Sequence, residues 1–395
     1  MIVGVVKESF PGEQRVALVP SSVTALMKSG FEVIIETGAG LAAGYPDSQY
    51  HEKGTKVVPT RGEVFAGCDI LLQVRTLGAN PRAGRADLAL LRRDQILIGL
   101  AEPLMAAEAI RALAESGVTL LALELMPRIT RAQSMDVLSS QGSIAGYKAV
   151  LMAADTLGKV FPMMMTAAGT IQPARVLVIG AGVAGLQAIA TARRLGAVVS
   201  GCDVRPAVKD QVESLGARFV ALPVETAGTE TKGGYAKEQT EEQLRKQREL
   251  MARVVAESDV VITTAAIPGK KAPVLLTADM VRRMQPGSVV VDLAAERGGN
   301  CELTQPDRTV VDNGVIIIGP VNPASLVPCH ASQTFSNNMV QLLQHLIAKD
   351  KQVRIDTGDE ITREMLVCRD GQILHPRVRE AMGLTPPAGP ERSDG

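Results

Sequence analysis

Short apolar runs alternate with segments of helical periodicity along most of the chain. In the first third these runs predict β-strands at 1–6, 31–36, 69–74, 95–100 and 118–123. The spacing of apolar residues between them predicts helices at 20–29, with a serine as N-cap, and at 106–115. Strands that alternate with helices are typical of a parallel sheet covered on both faces. We therefore predict an α/β domain at the start of the chain.

The same alternation resumes after a polar segment at 127–141, which we predict to be a loop. A long helical pattern at 142–157 follows, and later apolar runs predict strands at 175–179, 259–265, 288–293 and 315–318. The predicted fold class is α/β, with two Rossmann-like, doubly wound parallel-sheet domains and a cleft between them. Three consecutive methionines at 163–165 are interpreted as core filling or as a contact surface.

The order of these elements predicts the domain boundaries. A second, nucleotide-binding domain would span 141–324. A helix at 332–348 would pack back on the first domain, which would then be discontinuous and comprise 1–140 plus 325–383. The remaining residues, 384–395, have the composition of a disordered tail.

The segment 174–205 reads as strand, glycine-rich turn, helix and second strand. Gly180, Gly182 and Gly185 have the spacing GxGxxG directly after the first strand. In a dinucleotide site the first glycine allows a tight turn, the second lets pyrophosphate approach the backbone, and the third lets the helix pack closely. The free N–H groups and dipole of the helix start favour phosphate. The alternative is a glycine turn in an ordinary α/β domain.

An aspartate at the end of the second strand favours NAD over NADP. Asp203 follows Gly180 by 23 residues, close to the separation of about 20 in the dinucleotide fingerprint. Its carboxylate would accept hydrogen bonds from a ribose diol and repel a 2′-phosphate. With these elements in register, the segment predicts an NAD(H) site.

Composition and charge narrow the class of protein. Hydrophobic residues make up 46% of the chain, aromatic residues 3%, and Trp is absent, so the core must be aliphatic. Lys+Arg and Asp+Glu both number 42, a balance that does not suggest nucleic-acid binding. Five scattered cysteines predict reduced thiols in a cytoplasm. We expect no signal peptide, no membrane span and no metal site.

Two polar segments carry further candidate chemistry. In the segment 127–141, Gln133, Asp136 and Ser139 could orient a nicotinamide carboxamide, or they could belong to a capped loop before a helix. The insertion 225–239 is rich in glycine, and its one aromatic residue is Tyr235. Composition alone favours an inert surface linker there.

Long motifs of the chain resemble the soluble NAD(H)-binding domain (domain I) of proton-translocating NAD(P) transhydrogenase, in particular the separate alpha subunit of divided enzymes. The resemblance covers nearly the whole chain. Its motifs are VVKESFPGEQRVALVP (5–20), PRITRAQSMDVLSS (127–140), IGAGVAGLQAIATARRLGAVVSGCDVR (179–205), GGYAKE (233–238), ITTAAIPGKKAPVL (262–275) and GPVNPASLVPCHASQTFSNN (319–338).

The resemblance implies roles for individual residues of these motifs. The nicotinamide end would be held by Arg128, Gln133, Asp136 and Ser139. The pyrophosphate would lie at Gly180, Ala181, Gly182, Val183 and Gly185, and the adenosine ribose at Asp203, Val204 and Arg205. A mobile flap over NADH would include Gly234 and Tyr235, which reverses the linker interpretation. Nearby contacts would be Gln247 and Ala266, the latter where a larger aliphatic residue is expected.

The activity implied by the resemblance is Si/Re-specific transhydrogenation. A hydride would pass from NADH on this chain to NADP+ held by the NADP(H)-binding domain of a partner subunit. Membrane-embedded subunits would couple that step to proton translocation. The chain would be a homodimer, active only with its partners, in the cytoplasm and peripheral to the inner or cell membrane through them.

Alanine dehydrogenase, the related family, is the main alternative, as a self-contained NAD-dependent amino-acid dehydrogenase. It shares the opening KE…R…ALVP pattern with Arg15, but it would carry a catalytic His just after the strand at 95–100, where this chain has Leu100 and Ala101. It would also use a Lys near Arg75 and an acid near Glu296. The missing His argues against this family. A non-enzymatic NAD sensor is a third alternative, against which the polar segment and the flap argue.

Overall fold

The structure of the protein is a computed structural model that describes residues 1–221, 241–267, 269–348 and 352–385. It divides into a first unit, Met1–Gln141 with Ser325–Gly395, and a second unit, Gly142–Ala324. The predicted flap at 225–239 and most of the predicted disordered tail, 386–395, lie outside the described residues.

The strands of the described residues are short, as parallel strands in α/β proteins usually are. They are β1 (Ile2–Val5), β2 (Glu32–Glu36), β3 (Lys56–Val58), β4 (Ile70–Arg75), β5 (Ile96–Leu100), β6 (Thr119–Ala122), β7 (Met164–Thr166), β8 (Gly169–Ile171), β9 (Arg175–Ile179), β10 (Val198–Cys202), β11 (Arg218–Phe219), β12 (Val260–Thr263), β13 (Val289–Asp292), β14 (Arg308–Asp312), β15 (Val315–Gly319), β16 (Leu366–Arg369) and β17 (Gln372–Ile373).

The helices fall mostly between the strands. They are α1 (Pro20–Lys28), α2 (Asp47–Glu52), α3 (Arg61–Gly67), α4 (Ala107–Glu115), α5 (Val137–Thr156), α6 (Val183–Arg194), α7 (Lys209–Ser214), α8 (Glu241–Ala256), α9 (Ala278–Arg282), α10 (Pro328–His345), α11 (Glu360–Met365) and α12 (Pro376–Ala381). None of those in the described residues is long and apolar enough to cross a membrane.

The first unit is built on one sheet with the order β17-β16-β6-β5-β4-β1-β2-β3. The strands from β6 to β3 are parallel, whereas β16 and β17 are antiparallel additions at one edge. Along β4, Ile70 and Leu72 belong to one hydrophobic cluster and Leu71 to another. Because successive side chains of a strand point to opposite faces, the sheet is packed on both sides.

The second unit has a sheet with the order β11-β10-β9-β12-β13-β15-β14, in which only the edge strand β14 is antiparallel. Counted along the unit, its parallel strands run 3-2-1-4-5-6, which is the Rossmann order. The predicted α/β class with two parallel-sheet domains is confirmed. The strand order reverses at β9, and ligands bind at such a switch point beyond the carboxyl ends of the strands.

Three local predictions are wrong. The N-cap of α1 is Val19, because Pro20 takes the first helical position and no serine side chain caps the helix. The segment 127–141 is not a continuous loop: Thr130–Met135 forms a 3₁₀ helix, and α5 begins at Val137 rather than at 142.

The methionines do not fill the core. β7 and β8 pair as an antiparallel hairpin in which every residue is exposed. Met165 is 81% exposed, and Met163, Met164 and Ile171 are exposed as well. Of the two interpretations of the methionines, core filling and a contact surface, only the contact surface is compatible with this exposed hairpin.

Candidate functional site

The structure gives physical reasons for two glycines of the turn after β9. Gly180 has a φ of +98°, which side-chain-bearing residues rarely adopt. A Cβ at Gly185 would lie 1.8 Å from the carbonyl oxygen of Gly180, so α6 packs too closely for any larger residue. Sequence reasoning missed Gly146 of α5, where a Cβ would lie 2.1 Å from the Ala184 carbonyl oxygen on α6.

Helix α6 begins at this turn with its N-terminus open. Gly182 is its N-cap residue, and no side chain in the described part of the chain caps it. A Cβ at Gly182 would meet no described atom within 4 Å, and both Gly182 and Val183 are exposed. Uncapped N–H groups facing open space bind phosphate well. Gly182 and Val183, with the buried Ala181 directly before them, therefore fit a pyrophosphate.

Asp203 stands beside the turn at the end of β10. Its Oδ2 accepts a hydrogen bond from the backbone N–H of Ala181 at 2.7 Å. Arg205 folds back across Val204, and its backbone N–H and its Nε both donate to Oδ1 at 2.9 Å. Burial opposes ionisation, but the hydrogen bonds from Arg205 and Ala181 prevail and lower the pKa of Asp203. The carboxylate is therefore ionised at neutral pH, as ribose recognition requires.

The chain after β12 forms the next part of the same sheet edge. Thr264 Oγ1 donates to the carbonyl oxygen of Gly180 at 3.0 Å. Fully buried Asn300 holds Ala265 through both of its backbone groups, at 3.0 Å to N and 2.9 Å to O. Ala266 follows and is exposed. Asn300 was not found from the sequence, because an isolated amide far along the chain carries no local signal.

In the first unit, Asp136 and Ser139 bind each other at the start of α5. Asp136 Oδ1 accepts a hydrogen bond from Ser139 N at 3.0 Å, and Oδ2 accepts one from Ser139 Oγ at 2.6 Å. This is the cap that the sequence left open as the alternative, and it explains why the helix begins early. Both residues are half-buried, so the cap also holds a carboxylate and a hydroxyl together near the surface.

Arg128 and Gln133, the other candidates in this segment, are both exposed. The 3₁₀ helix Thr130–Met135 is anchored by buried Ala132 and Met135. Three candidates are not described in full: Gly234 and Tyr235 lie outside the described residues, and Gln247 is described only as backbone within α8.

A buried ion-pair network surrounds Arg15, whose side chain is 3% exposed. Glu13 accepts hydrogen bonds from Arg15 Nε at 2.8 Å and Nη2 at 2.7 Å. Arg75 lies 3.5 Å from the same carboxylate and 4.2 Å from the centroid of the Phe10 ring. Although burial works against it, the charge of Arg15 lowers the pKa of Glu13 to about 2. Both arginines are thus engaged by the protein's own groups.

A second buried carboxyl, Glu8, lies beside this network. It accepts hydrogen bonds from Val74 N at 2.6 Å and Arg75 N at 3.2 Å. Burial and then repulsion by Glu13 raise its pKa to about 8, although these two hydrogen bonds and the charge of Arg61 oppose the rise. Glu8 is therefore largely neutral at pH 7.

The two residues directly after β5 are hydrogen-bonded to another carboxyl group. Glu124 Oε1 accepts hydrogen bonds from Ala101 N at 2.7 Å and Glu102 N at 2.8 Å. Ala101 itself is fully buried. The place where a self-contained alanine dehydrogenase would carry its His is thus occupied by a small buried residue.

No metal-binding group of three or more His, Cys, Asp or Glu side chains occurs in the described ranges.

The glycine turn, the open helix start and the ionised Asp203 lie together at the carboxyl edge of the second sheet, where α/β proteins of this strand order bind ligands. Comparison with known proteins identifies the family. Residues 4–145 match the family model for the amino-terminal domain of alanine dehydrogenase/PNT, and residues 149–376 match that for its carboxyl-terminal domain.

The similar proteins include both transhydrogenases and alanine dehydrogenases. The chain is 47% identical over 380 residues to an NAD(P) transhydrogenase subunit alpha chain of Rhodospirillum rubrum, covering 96% of this chain and 99% of that one. A solved structure of transhydrogenase from Sinorhizobium meliloti is 44% identical, has a TM-score of 0.84, and covers 94% of this chain and 100% of that one. Alanine dehydrogenase of Halomonas elongata is 28% identical over 392 residues, 97% of either chain.

Proposed function

Because the chain belongs to the alanine dehydrogenase/PNT family, we propose that it is the NAD(H)-binding subunit of a proton-translocating NAD(P)+ transhydrogenase. In this proposal the chain binds NADH, and a hydride passes from C4 of its nicotinamide to C4 of NADP+ on a partner subunit. NAD+ and NADPH are the products. The transfer is Si/Re-specific, so each ring presents one defined face to the other.

The observation that carries the proposal is the arrangement of the glycine turn, the open start of α6 and Asp203 at the carboxyl edge of the second sheet. The open N-terminus of α6 would receive the pyrophosphate, and Asp203 with Val204 and Arg205 would receive the adenosine ribose. A transhydrogenase between NADH and NADP+ needs such a site to reject the 2′-phosphate. The ionised carboxylate of Asp203 supplies that rejection.

We assign the nicotinamide end to Arg128, Gln133, Asp136 and Ser139. The amide of Gln133 and the hydroxyl of Ser139 match the donors and acceptors of a carboxamide. Hydride transfer needs no acid or base at the ring, but it needs two carbons held close together. The task of these side chains is therefore to orient the ring, with the flap residues Gly234 and Tyr235, and Gln247 and Ala266, as further contacts.

The proposal includes partners, in keeping with the subunit names of the relatives. The NADP(H)-binding domain and the membrane-embedded subunits complete the enzyme, and the membrane subunits couple transfer to proton translocation. The chain then lies on the cytoplasmic side, peripheral to the membrane. A homodimer is supported by the exposed hairpin of β7 and β8, since a row of exposed methionines favours burial against another protein surface.

The alternative, an alanine dehydrogenase, would require a free cation to bind the substrate carboxylate. Arg15 is instead held by Glu13 and is 3% exposed. Small, buried Ala101 also stands where the catalytic His would be needed. These two residues therefore argue against a self-contained keto-acid site in the first unit.

The test is hydride transfer from NADH to an NADP+ analogue by the purified chain, with and without a transhydrogenase NADP-binding domain. We expect transfer only when that domain is added. Reduction of NAD+ with L-alanine by the chain alone would instead establish the alanine dehydrogenase activity and overturn the proposal.

A further inference from the structure

Helix α10 is the end of a long motif, GPVNPASLVPCHASQTFSNN, to which the proposed function gives no role. Its inner face carries polar residues among the apolar ones. Ser332 and Ser336 are fully buried. Their Oγ atoms accept hydrogen bonds from the backbone N–H groups of Val16 and Val19, each at 3.0 Å. One set of side chains on α10 therefore fixes the segment between β1 and α1.

A second set on the same helix contacts the segment 127–141. The Nδ2 of Asn338 donates a hydrogen bond to the carbonyl oxygen of Ser134 at 2.7 Å. Its Oδ1 accepts one from Ser140 Oγ at 2.7 Å. Asn338 is 6% exposed. A single buried amide thus joins the 3₁₀ helix to the first turn of α5, and the residues between them include Asp136 and Ser139.

The orientation of that amide is fixed by its partners. The carbonyl oxygen of Ser134 can only accept a hydrogen bond, so it requires the nitrogen end of Asn338. The oxygen end then faces the hydroxyl of Ser140, which donates. A leucine could not make either bond, and an aspartate could make only the second.

Gln141 continues the same line of contacts. Its Nε2 donates to Ala331 O at 3.1 Å and Thr334 Oγ1 at 3.2 Å on α10, and its Oε1 accepts from Arg15 Nη1 at 2.9 Å. Gln141 is 8% exposed. The segment is therefore held at Ser134, Ser140 and Gln141 by buried polar groups.

We infer that Asn338 is a positioning residue for the nicotinamide end of the NAD(H) site. It touches no cofactor itself. By holding Ser134 and Ser140, it fixes the backbone from which Gln133, Asp136 and Ser139 project. This inference rests on the proposed function, which assigns those three side chains to the nicotinamide.

The test compares two ligands that differ only at the nicotinamide end. NADH and ADP-ribose share the adenosine, the pyrophosphate and the second ribose, but ADP-ribose lacks the nicotinamide. Dissociation constants of both are measured for the purified full chain, for Asn338→Ala and for Asn337→Ala. Asn337 is the matched control, because it precedes Asn338 on α10 but is exposed.

Asn338→Ala is expected to weaken NADH binding about tenfold, in keeping with the loss of two buried hydrogen bonds, and to leave ADP-ribose binding unchanged. Asn337→Ala should change neither. Equal weakening of both ligands, or no change in either, would overturn the positioning role. Asn338→Asp keeps the size of the side chain but loses the donor, and Ser140→Ala removes the other contact, so both should reproduce the selective effect if Asn338→Ala folds poorly.

Arg128→Ala and Gln133→Ala separate this inference from the proposed function. If these two variants weaken NADH binding but the Asn338 variants do not, the positioning role alone is wrong. If NADH binding is indifferent to Arg128 and Gln133 as well, the assignment of the nicotinamide site is wrong.

Discussion

The guanidinium of Arg205 closes on the carboxylate of Asp203 at both oxygens, with Nε 2.9 Å from Oδ1 and Nη2 2.9 Å from Oδ2. Oδ1 also accepts the backbone N–H of Arg205, and Oδ2 that of Ala181. Three N–H groups of Arg205 and one of Ala181 therefore occupy the hydrogen-bond acceptor positions of the Asp203 carboxylate, which is proposed to bind the ribose diol. The Arg205 side chain, 25% exposed, has to yield for the diol to bind.

This ion pair predicts how cofactor specificity changes. Asp203→Ser removes the charge that repels a 2′-phosphate and frees Arg205 to bind it, so NADPH affinity should rise at least tenfold. The double variant Asp203→Ser, Arg205→Ala should lose most of that gain. The measurement is the dissociation constant of NADPH and NADH for each variant. Unchanged discrimination in Asp203→Ser would contradict the specificity argument, and equal gains in both variants would show that Arg205 takes no part.

Two glycines of the turn should separate stability from binding. A Cβ at Gly185 meets the Gly180 carbonyl oxygen at 1.8 Å, so Gly185→Ala should destabilise the second unit, by about 2 kcal/mol or more. A Cβ at Gly182 points into open space among the described residues. Gly182→Ala should therefore leave the unfolding midpoint within 1 °C or so of the parent while weakening NADH binding at least tenfold. Thermal unfolding and NADH titration check both, and a Gly182→Ala chain with full NADH affinity would place the pyrophosphate elsewhere.

Glu8 should make the protein less stable as the pH rises. Its pKa in the folded protein is about 8, against an ordinary value of 4.5. Between these values the folded state binds more protons than the unfolded state, so the free energy of unfolding falls as pH increases from about 4.5 to about 8.

Glu8→Gln should lose this part of the pH dependence, because a glutamine cannot ionise. Denaturant unfolding of both proteins at intervals from pH 5 to pH 9 measures the difference, which should grow across the window to the order of a few kcal/mol. Parallel curves for the two proteins would mean that Glu8 does not titrate as stated.

The exposed hairpin predicts the effect of a charge on self-association. Met165→Asp should weaken the homodimer at least tenfold, because the charge must be desolvated when the hairpin is covered. Leu41→Asp is the matched control, since Leu41 is an apolar residue of the first unit that is also well exposed, at 65%, and lies outside the hairpin. Sedimentation at a series of concentrations gives the dimer constant. A Met165→Asp chain that dimerises as before would exclude the hairpin from the interface.

The parts of the fold that the sequence predicts are those with a strong local signal. The alternation of strand and helix and the turn at Gly180, Gly182 and Gly185 depend on neighbours in the chain. The sequence does not predict strands β3 and β17, which have three and two residues, because so short a stretch cannot show the alternation of buried and exposed positions typical of a strand.

The groups that fix the candidate site depend on contacts far apart in the chain. Asn300 is hydrogen-bonded to Ala265, and Asn338 is hydrogen-bonded to Ser134. No sequence pattern around an asparagine in a helix or loop predicts which distant residue it will contact. The prediction places the start of α5 too late for a related reason: the polar residues Asp136 and Ser139 are typical of a loop, although in the structure they form the cap that begins the helix.

The bonds from Val16 and Val19 to α10 have a consequence for synthesis on the ribosome. They join residues 316 and 317 positions apart, so the first unit is incomplete until the last fifth of the chain has emerged. The second unit is one uninterrupted stretch, Gly142–Ala324, and can complete its own contacts earlier. Since domains generally fold as units while long-range contacts form late, we expect the second unit to fold first, while the segment between β1 and α1 still lacks the helix that holds it.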